Sequence, residues 1–116
     1  MIQNANTSAA ENYVTVDPKV FSKEIDSPNV VVVDVRPADL YHEGHIKGAI
    51  NLDVENPDFL KEATSKLPKD KTVAVYCGLG IHSPIAAREL TKEGYNILNL
   101  DGGIKAWKEA DLPVVK

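Results

Sequence analysis

The chain has 116 residues, enough for one domain with a buried core and too few for two. Hydrophobic residues make up 43% and charged residues 26%, a balance that excludes a disordered chain. The formal net charge is -4 with lysines spread along the chain, which argues against a nucleic-acid partner, and no apolar run approaches a membrane span.

Residues Met1 to Asn12 are small and polar and lack the apolar stretch of a signal peptide, so they read as a loose arm ahead of a domain over 13–116. This start suits a cytoplasmic protein by default, and a periplasmic one if a leader has been removed. Tyr13 to Val16 is a weak strand. Asp17-Pro18 predicts an N-cap with proline at the first helical position, opening a helix to about Ile25. Ser27-Pro28-Asn29 is a turn. Val30 to Val35 is β-branched except for Asp34, the pattern of a strand buried on both faces.

Pro37 opens a short helix to about Tyr41. Gly44 to Gly48 is loop, and Ala49-Ile50-Asn51 is a brief strand. Asn56-Pro57 predicts the start of a helix that ends near Leu67, and Pro68 to Asp70 is a turn. Thr72 to Tyr76 is a second buried strand. A helix from Ser83 or Pro84 to Lys92 follows, with Gly94 just past its end as a C-cap. Asn96 to Leu100 is the last strand, Gly102-Gly103 turns into a final helix containing Trp107, and Leu112-Pro113 leads to the tail. Strand and helix alternate five times along this sequence, which predicts an α/β fold, a parallel sheet with helices on both faces. Ligands of such sheets bind beyond the carboxyl ends of the strands, here at Asp34-Val35-Arg36 and at Tyr76-Cys77.

Cys77 is the only cysteine, so an internal disulfide, a CxxC motif and a multi-cysteine zinc site are all excluded. Taken alone it would read as a small buried hydrophobe. Its context is Cys77-Gly78-Leu79-Gly80-Ile81-His82-Ser83-Pro84, between a buried strand and a helix. Two glycines let the backbone curl with its amides inward, and the helix start adds free N–H groups and partial positive charge. Such a loop favours the thiolate over the thiol and would hold an anionic group carried on the sulfur. It is an anion-binding loop with a nucleophile at its floor, unless it is only a glycine-rich turn.

Several separated motifs then coincide. They are Val33-Asp34-Val35-Arg36, Glu43 to Asn51, Val75 to Ser83 with Ala86-Ala87, and Leu100 to Trp107 with Leu112-Pro113-Val114. In this order and spacing the chain resembles the single-domain rhodanese-like family from about Tyr13 onward. The resemblance implies a doubly wound, five-stranded parallel sheet and thiosulfate:cyanide-type sulfurtransferase chemistry. Cys77 would take sulfane sulfur from a donor such as thiosulfate or a persulfide and pass it to a thiophilic acceptor such as cyanide, a thiol or a partner protein. This is nucleophilic catalysis through a Cys77 persulfide, and it requires no cofactor and no metal. Amides from Gly78, Leu79, Gly80, Ile81, His82 and Ser83 would stabilise the persulfide. The related dual-specificity phosphatases use a longer loop and an arginine six positions after the cysteine, where this chain has Ser83.

One departure stands out. Many single-domain members carry arginine at the last loop position, and this chain has His82. Arginine is permanently charged and grips oxyanions bidentately, whereas histidine titrates near neutrality and binds more weakly. Thiosulfate use is therefore open in a way that Cys77 chemistry is not, and His82 facing solvent is the plain alternative.

Asp34 and Arg36 are expected to support the site. Asp34 would orient the loop or pair with Arg36, and Arg36 would bring positive charge near the pocket mouth. His45 is expected to bond to backbone rather than to a metal, His42 and Arg88 to be exposed, and Tyr76 and Trp107 to lie in the core. A catalytic sulfurtransferase, expected to be a monomer acting on small sulfur donors and acceptors, is the leading reading. A module that receives persulfide from a protein partner is the second, and an inactive structural domain is a third that Cys77 and its loop oppose.

Overall fold

The computed structural model describes residues 13–116, so the arm expected over residues 1–12 lies outside the described residues. In chain order the elements are β1 (Val14–Val16), α1 (Pro18–Glu24), β2 (Val30–Asp34), α2 (Ala38–Glu43) and β3 (Ile50–Asn51). After these come α3 (Phe59–Lys66), β4 (Thr72–Tyr76), α4 (Ser83–Lys92), β5 (Asn96–Leu100) and α5 (Gly103–Glu109). The local signals act as the residues dictate. Asp17 accepts from the Val20 N–H at 2.9 Å, with Pro18 in the first turn where its missing donor costs nothing. Gly94, at φ 96°, reverses the chain after α4, with its N–H on the Thr91 carbonyl and that of Tyr95 on Leu90.

The five strands form one parallel sheet in the order β1-β5-β4-β2-β3. Alternation along the buried strands divides the core into two layers. Val33, Val35, Val73, Val75 and Ile97 face Phe59 and Ala63 of α3 and Ala86, Ala87 and Leu90 of α4. Val32, Ala74, Tyr76 and Leu100 face Phe21 of α1 and Ile104 and Trp107 of α5. Each large side chain so buried contributes roughly 1.5–3 kcal/mol. The side chain of Cys77 joins the first layer, on the α3 and α4 side.

Strand order reverses between β2 and β4. From β2 the chain moves outward to β3, then returns to the other side of β2 as β4. The loops leaving β2 and β4 therefore diverge and leave a crevice at their carboxyl ends, where open α/β sheets bind ligands. Cys77 follows β4 at that point.

The main departure from expectation is the start of α3, at Phe59 rather than at Asn56-Pro57. The Asn56 side chain accepts from the Asp58 N–H at 2.8 Å, and its carbonyl accepts from Phe59 at 2.9 Å. Asn56 thus builds a turn that the helix follows, the alternative use of a residue that also caps helices. The strand expected to reach Val35 ends at Asp34, although Val35 still donates to Tyr76 O at 3.0 Å. Among the described residues no helix is long and apolar enough to cross a membrane.

Candidate active site

Cys77 leaves the end of β4 with only 2% of its surface exposed, and two backbone N–H groups point at its sulfur. Gly80 donates to Sγ at 3.1 Å and Ser83 at 3.3 Å. Both N–H groups are placed to donate to an atom carried at this position. Gly80 reaches this position at φ 86°, in the left-handed region. Of the amides expected to line the cradle, these are the ones that contact the sulfur. Gly78 instead offers its carbonyl outward.

That carbonyl ties the loop to the last helix. Ile104 N–H donates to Cys77 O at 2.9 Å and Lys105 N–H to Gly78 O at 3.1 Å. The start of α5 thus caps the backbone that carries Cys77. Gly103, at φ 66°, sits so close that a Cβ there would fall 2.5 Å from Gly78 O and 2.6 Å from Cys77 O. Gly103 is needed for this contact as well as for the turn. On the far side of the loop, the fully buried Ser83 hydroxyl donates to Asn99 Oδ1 at 2.7 Å, and Asn99 Nδ2 donates to Thr15 Oγ1 at 3.2 Å. Through Asn99 the helix α4 entry is tied to β5 and β1.

Above the sulfur lies a cavity of about 300 Å³. Val35, Leu40, Val54, Leu79 and Ile81 supply apolar walls, with Arg36, Pro37, Gly78, Glu55 and His82 completing the lining. Leu79 and Ile81 are 58% and 65% exposed, so the loop presents two apolar side chains to solvent at the mouth. His82, at the N-cap of α4, faces Glu55 from the β3–α3 loop, with Nε2 3.7 Å from Oε2. The imidazole is thus on the rim and has a carboxylate beside it.

Asp34 and Arg36 come together as a buried pair. Arg36 Nε and Nη2 donate to both Asp34 oxygens at 2.7–3.1 Å, and Nη2 also donates to Gly44 O at 2.7 Å. Burial opposes the Arg36 charge, but the hydrogen bonds and negative charge of Asp34 outweigh it and raise the guanidinium above its usual range. The charge expected to serve the pocket mouth is thus matched by Asp34. The guanidinium carbon lies 5.8 Å from the centre of the Tyr76 ring. Burial, reinforced by the Asp34 charge, pushes the Tyr76 hydroxyl well above the ordinary tyrosine range, and that oxygen accepts from Ile46 N–H at 3.0 Å. Together these bonds pin the Gly44–Ile46 segment to the ends of β2 and β4.

His45 bonds to backbone as expected, through Nδ1 and Tyr41 O at 2.9 Å, and its ring stacks on Tyr41 at 3.9 Å. His42 and Arg88 are exposed, and Tyr76 and Trp107 are in the core. Sequence reasoning missed Asn99, Glu55 and the close approach at Gly103. Asn99 carried a signal, a polar residue between Leu98 and Leu100 inside the last strand. Glu55 carried none, because only the path of the β3–α3 loop brings it to the pocket.

Comparison with known proteins agrees with this fold. The family model described as a rhodanese-like domain matches residues 17–110. Thiosulfate sulfurtransferase GlpE of Shewanella oneidensis is 37% identical over 74% of this chain and 83% of its own length. A sulfurtransferase of Allochromatium vinosum is 34% identical over 86% of this chain and 92% of its own. Among solved structures, a rhodanese-related protein from Thermoplasma volcanium superposes with a TM-score of 0.78 at 32% identity, covering 89% of this chain and 98% of that one. The family model, the parallel sheet and these relatives converge: the chain belongs to the rhodanese-like family, as a rhodanese-type sulfurtransferase.

Proposed function

We propose that Cys77 carries sulfane sulfur as a persulfide between a donor and a thiophilic acceptor. The observation that supports this most directly is the pair of N–H groups, from Gly80 and Ser83, on a nearly buried sulfur at a pocket floor. In the first half-reaction the Cys77 thiolate attacks the outer sulfur of the donor. A bond forms from Sγ to that sulfur, the donor's S–S bond breaks, and the leaving group departs with the electron pair. Sulfite leaves when thiosulfate is the donor. The Cys77 persulfide anion then rests against the amide cradle. In the second half-reaction cyanide or a thiol attacks the outer sulfur and restores the thiolate. No group outside the chain is called for in either step, and one chain completes the pocket, so a monomer suffices.

Asp34 and Arg36 hold the strand ends from which the Cys77 loop and the Val35–Pro37 wall depart. The exposed Leu79 and Ile81 at the mouth favour a second reading as well, in which the donor or acceptor is a persulfide-carrying protein. Steady-state turnover separates the cases. With thiosulfate and cyanide, the protein should form thiocyanate in a ping-pong pattern and Cys77→Ser should form none. Turnover retained by Cys77→Ser would refute the assignment. Turnover from a protein persulfide alone would favour the second reading.

A further inference from the structure

We propose that Glu55 sets donor specificity, selecting against dianionic sulfur donors and for donors of lower charge with an apolar body. The inference rests on the reading of Cys77 as the sulfur carrier. Its basis is the charge arrangement around the pocket. Glu55 Oε2 lies 3.7 Å from His82 Nε2, and both residues line the cavity that holds Cys77. Arg36, the other cation of the lining, is already matched by the buried Asp34 carboxylate. An incoming donor therefore meets the negative charges of Glu55 and the Cys77 thiolate, and a single histidine that already has a carboxylate beside it.

Glu55 is held in this place by the backbone. Its N–H donates to Asp53 Oδ1 at 2.9 Å, and the neighbouring Val54 N–H donates to Val35 O at 3.1 Å. The walls point the same way as the charge. Leu40, Leu79 and Ile81 are 39%, 58% and 65% exposed around the mouth and would cover a hydrocarbon group, which a sulfonate oxygen cannot exploit.

Thiosulfate and methanethiosulfonate separate these effects. Both offer a terminal sulfur on an oxidised sulfur atom, but a methyl replaces one oxygen and the ion carries one charge instead of two. With methanethiosulfonate, Cys77 Sγ bonds to the outer sulfur, the S–S bond breaks and methanesulfinate leaves with the electron pair.

The test is the KM and kcat of wild type, Glu55→Gln and the charge control Glu24→Gln with each donor, cyanide being the acceptor. Glu24 lies on α1, across the sheet from the pocket. Glu55 is exposed, so the expected change is moderate: Glu55→Gln lowers the KM for thiosulfate by about threefold to tenfold. Coulomb energy scales with donor charge, so the methanethiosulfonate KM should fall only by about the square root of that factor. The thiosulfate effect should shrink as salt is raised, and Glu24→Gln should change neither constant. Equal KM changes for the two donors, or no change for thiosulfate, would overturn the role of Glu55. If neither donor adds sulfur to wild-type Cys77, the carrier assignment itself falls, an outcome distinct from the other two.

Discussion

At the scale of single residues, the contacts to the Cys77 sulfur come from neighbours that contribute backbone rather than side chains. Gly80 and Ser83 donate N–H groups to its sulfur, and the Ser83 side chain turns away to Asn99. The one side chain of the loop with a charge to offer is His82, on the rim beside Glu55. Arginine in its place would keep its charge at every working pH and could bind an oxyanion through two N–H groups. His82→Arg is therefore expected to lower the KM for thiosulfate several-fold with little change in kcat. An unchanged KM would mean that this position does not contact the donor. The Cys77 loop between β4 and α4 was legible in the sequence because a short contiguous segment contains it. Glu55 was not, because it reaches the pocket from a loop more than twenty positions earlier, with no local pattern to mark it.

At the scale of elements, the Cys77 loop is clamped between two helix starts. The N-terminus of α4 supplies the Ser83 amide, and that of α5 supplies the Ile104 and Lys105 amides that hold the Cys77 and Gly78 carbonyls. Gly103→Ala tests the clamp. The new Cβ would lie about an ångström inside normal contact with two carbonyl oxygens, at a φ of 66° that side chains disfavour. The expected loss is about 1–3 kcal/mol of stability, read as a lower denaturant midpoint, together with a fall in kcat as the loop is pushed from its place. Unchanged stability and unchanged kcat would show that the contact is not required. The strands and most helices were readable because β-branched runs and proline or glycine punctuation act locally. The start of α3 was not, because Asn56 serves a turn as readily as a cap, and the choice depends on where the preceding strand leaves the chain.

At the scale of the whole molecule, Asp34, Arg36 and Tyr76 form a buried polar cluster in the layered core, on the face away from α3 and α4. It joins β2, β4 and the Gly44–Ile46 segment and so fixes the strand ends on which the pocket rests. The cluster also gives stability a pH dependence. The unfolded chain releases the Tyr76 proton near pH ~10, while burial and the Asp34 charge keep it bound in the folded chain. The folded state then holds more protons, so this contribution is fully present below about pH 10 and is lost as pH rises beyond it, by up to about 1.4 kcal/mol per unit. Tyr76→Phe should be less stable than wild type at neutral pH, having lost the oxygen that accepts from Ile46, and should show a shallower alkaline decline. Identical alkaline slopes in denaturant titrations would contradict the buried-phenol account.

The central claim is that sulfur resides on Cys77 between donor and acceptor. Its most direct test is the intact mass of the protein after a brief exposure to methanethiosulfonate or thiosulfate and removal of excess donor. The account predicts a gain of one sulfur atom in wild type, none in Cys77→Ser, and full reversal on adding cyanide with an equal yield of thiocyanate. No mass gain from either donor, or a gain that persists in Cys77→Ser, would contradict it.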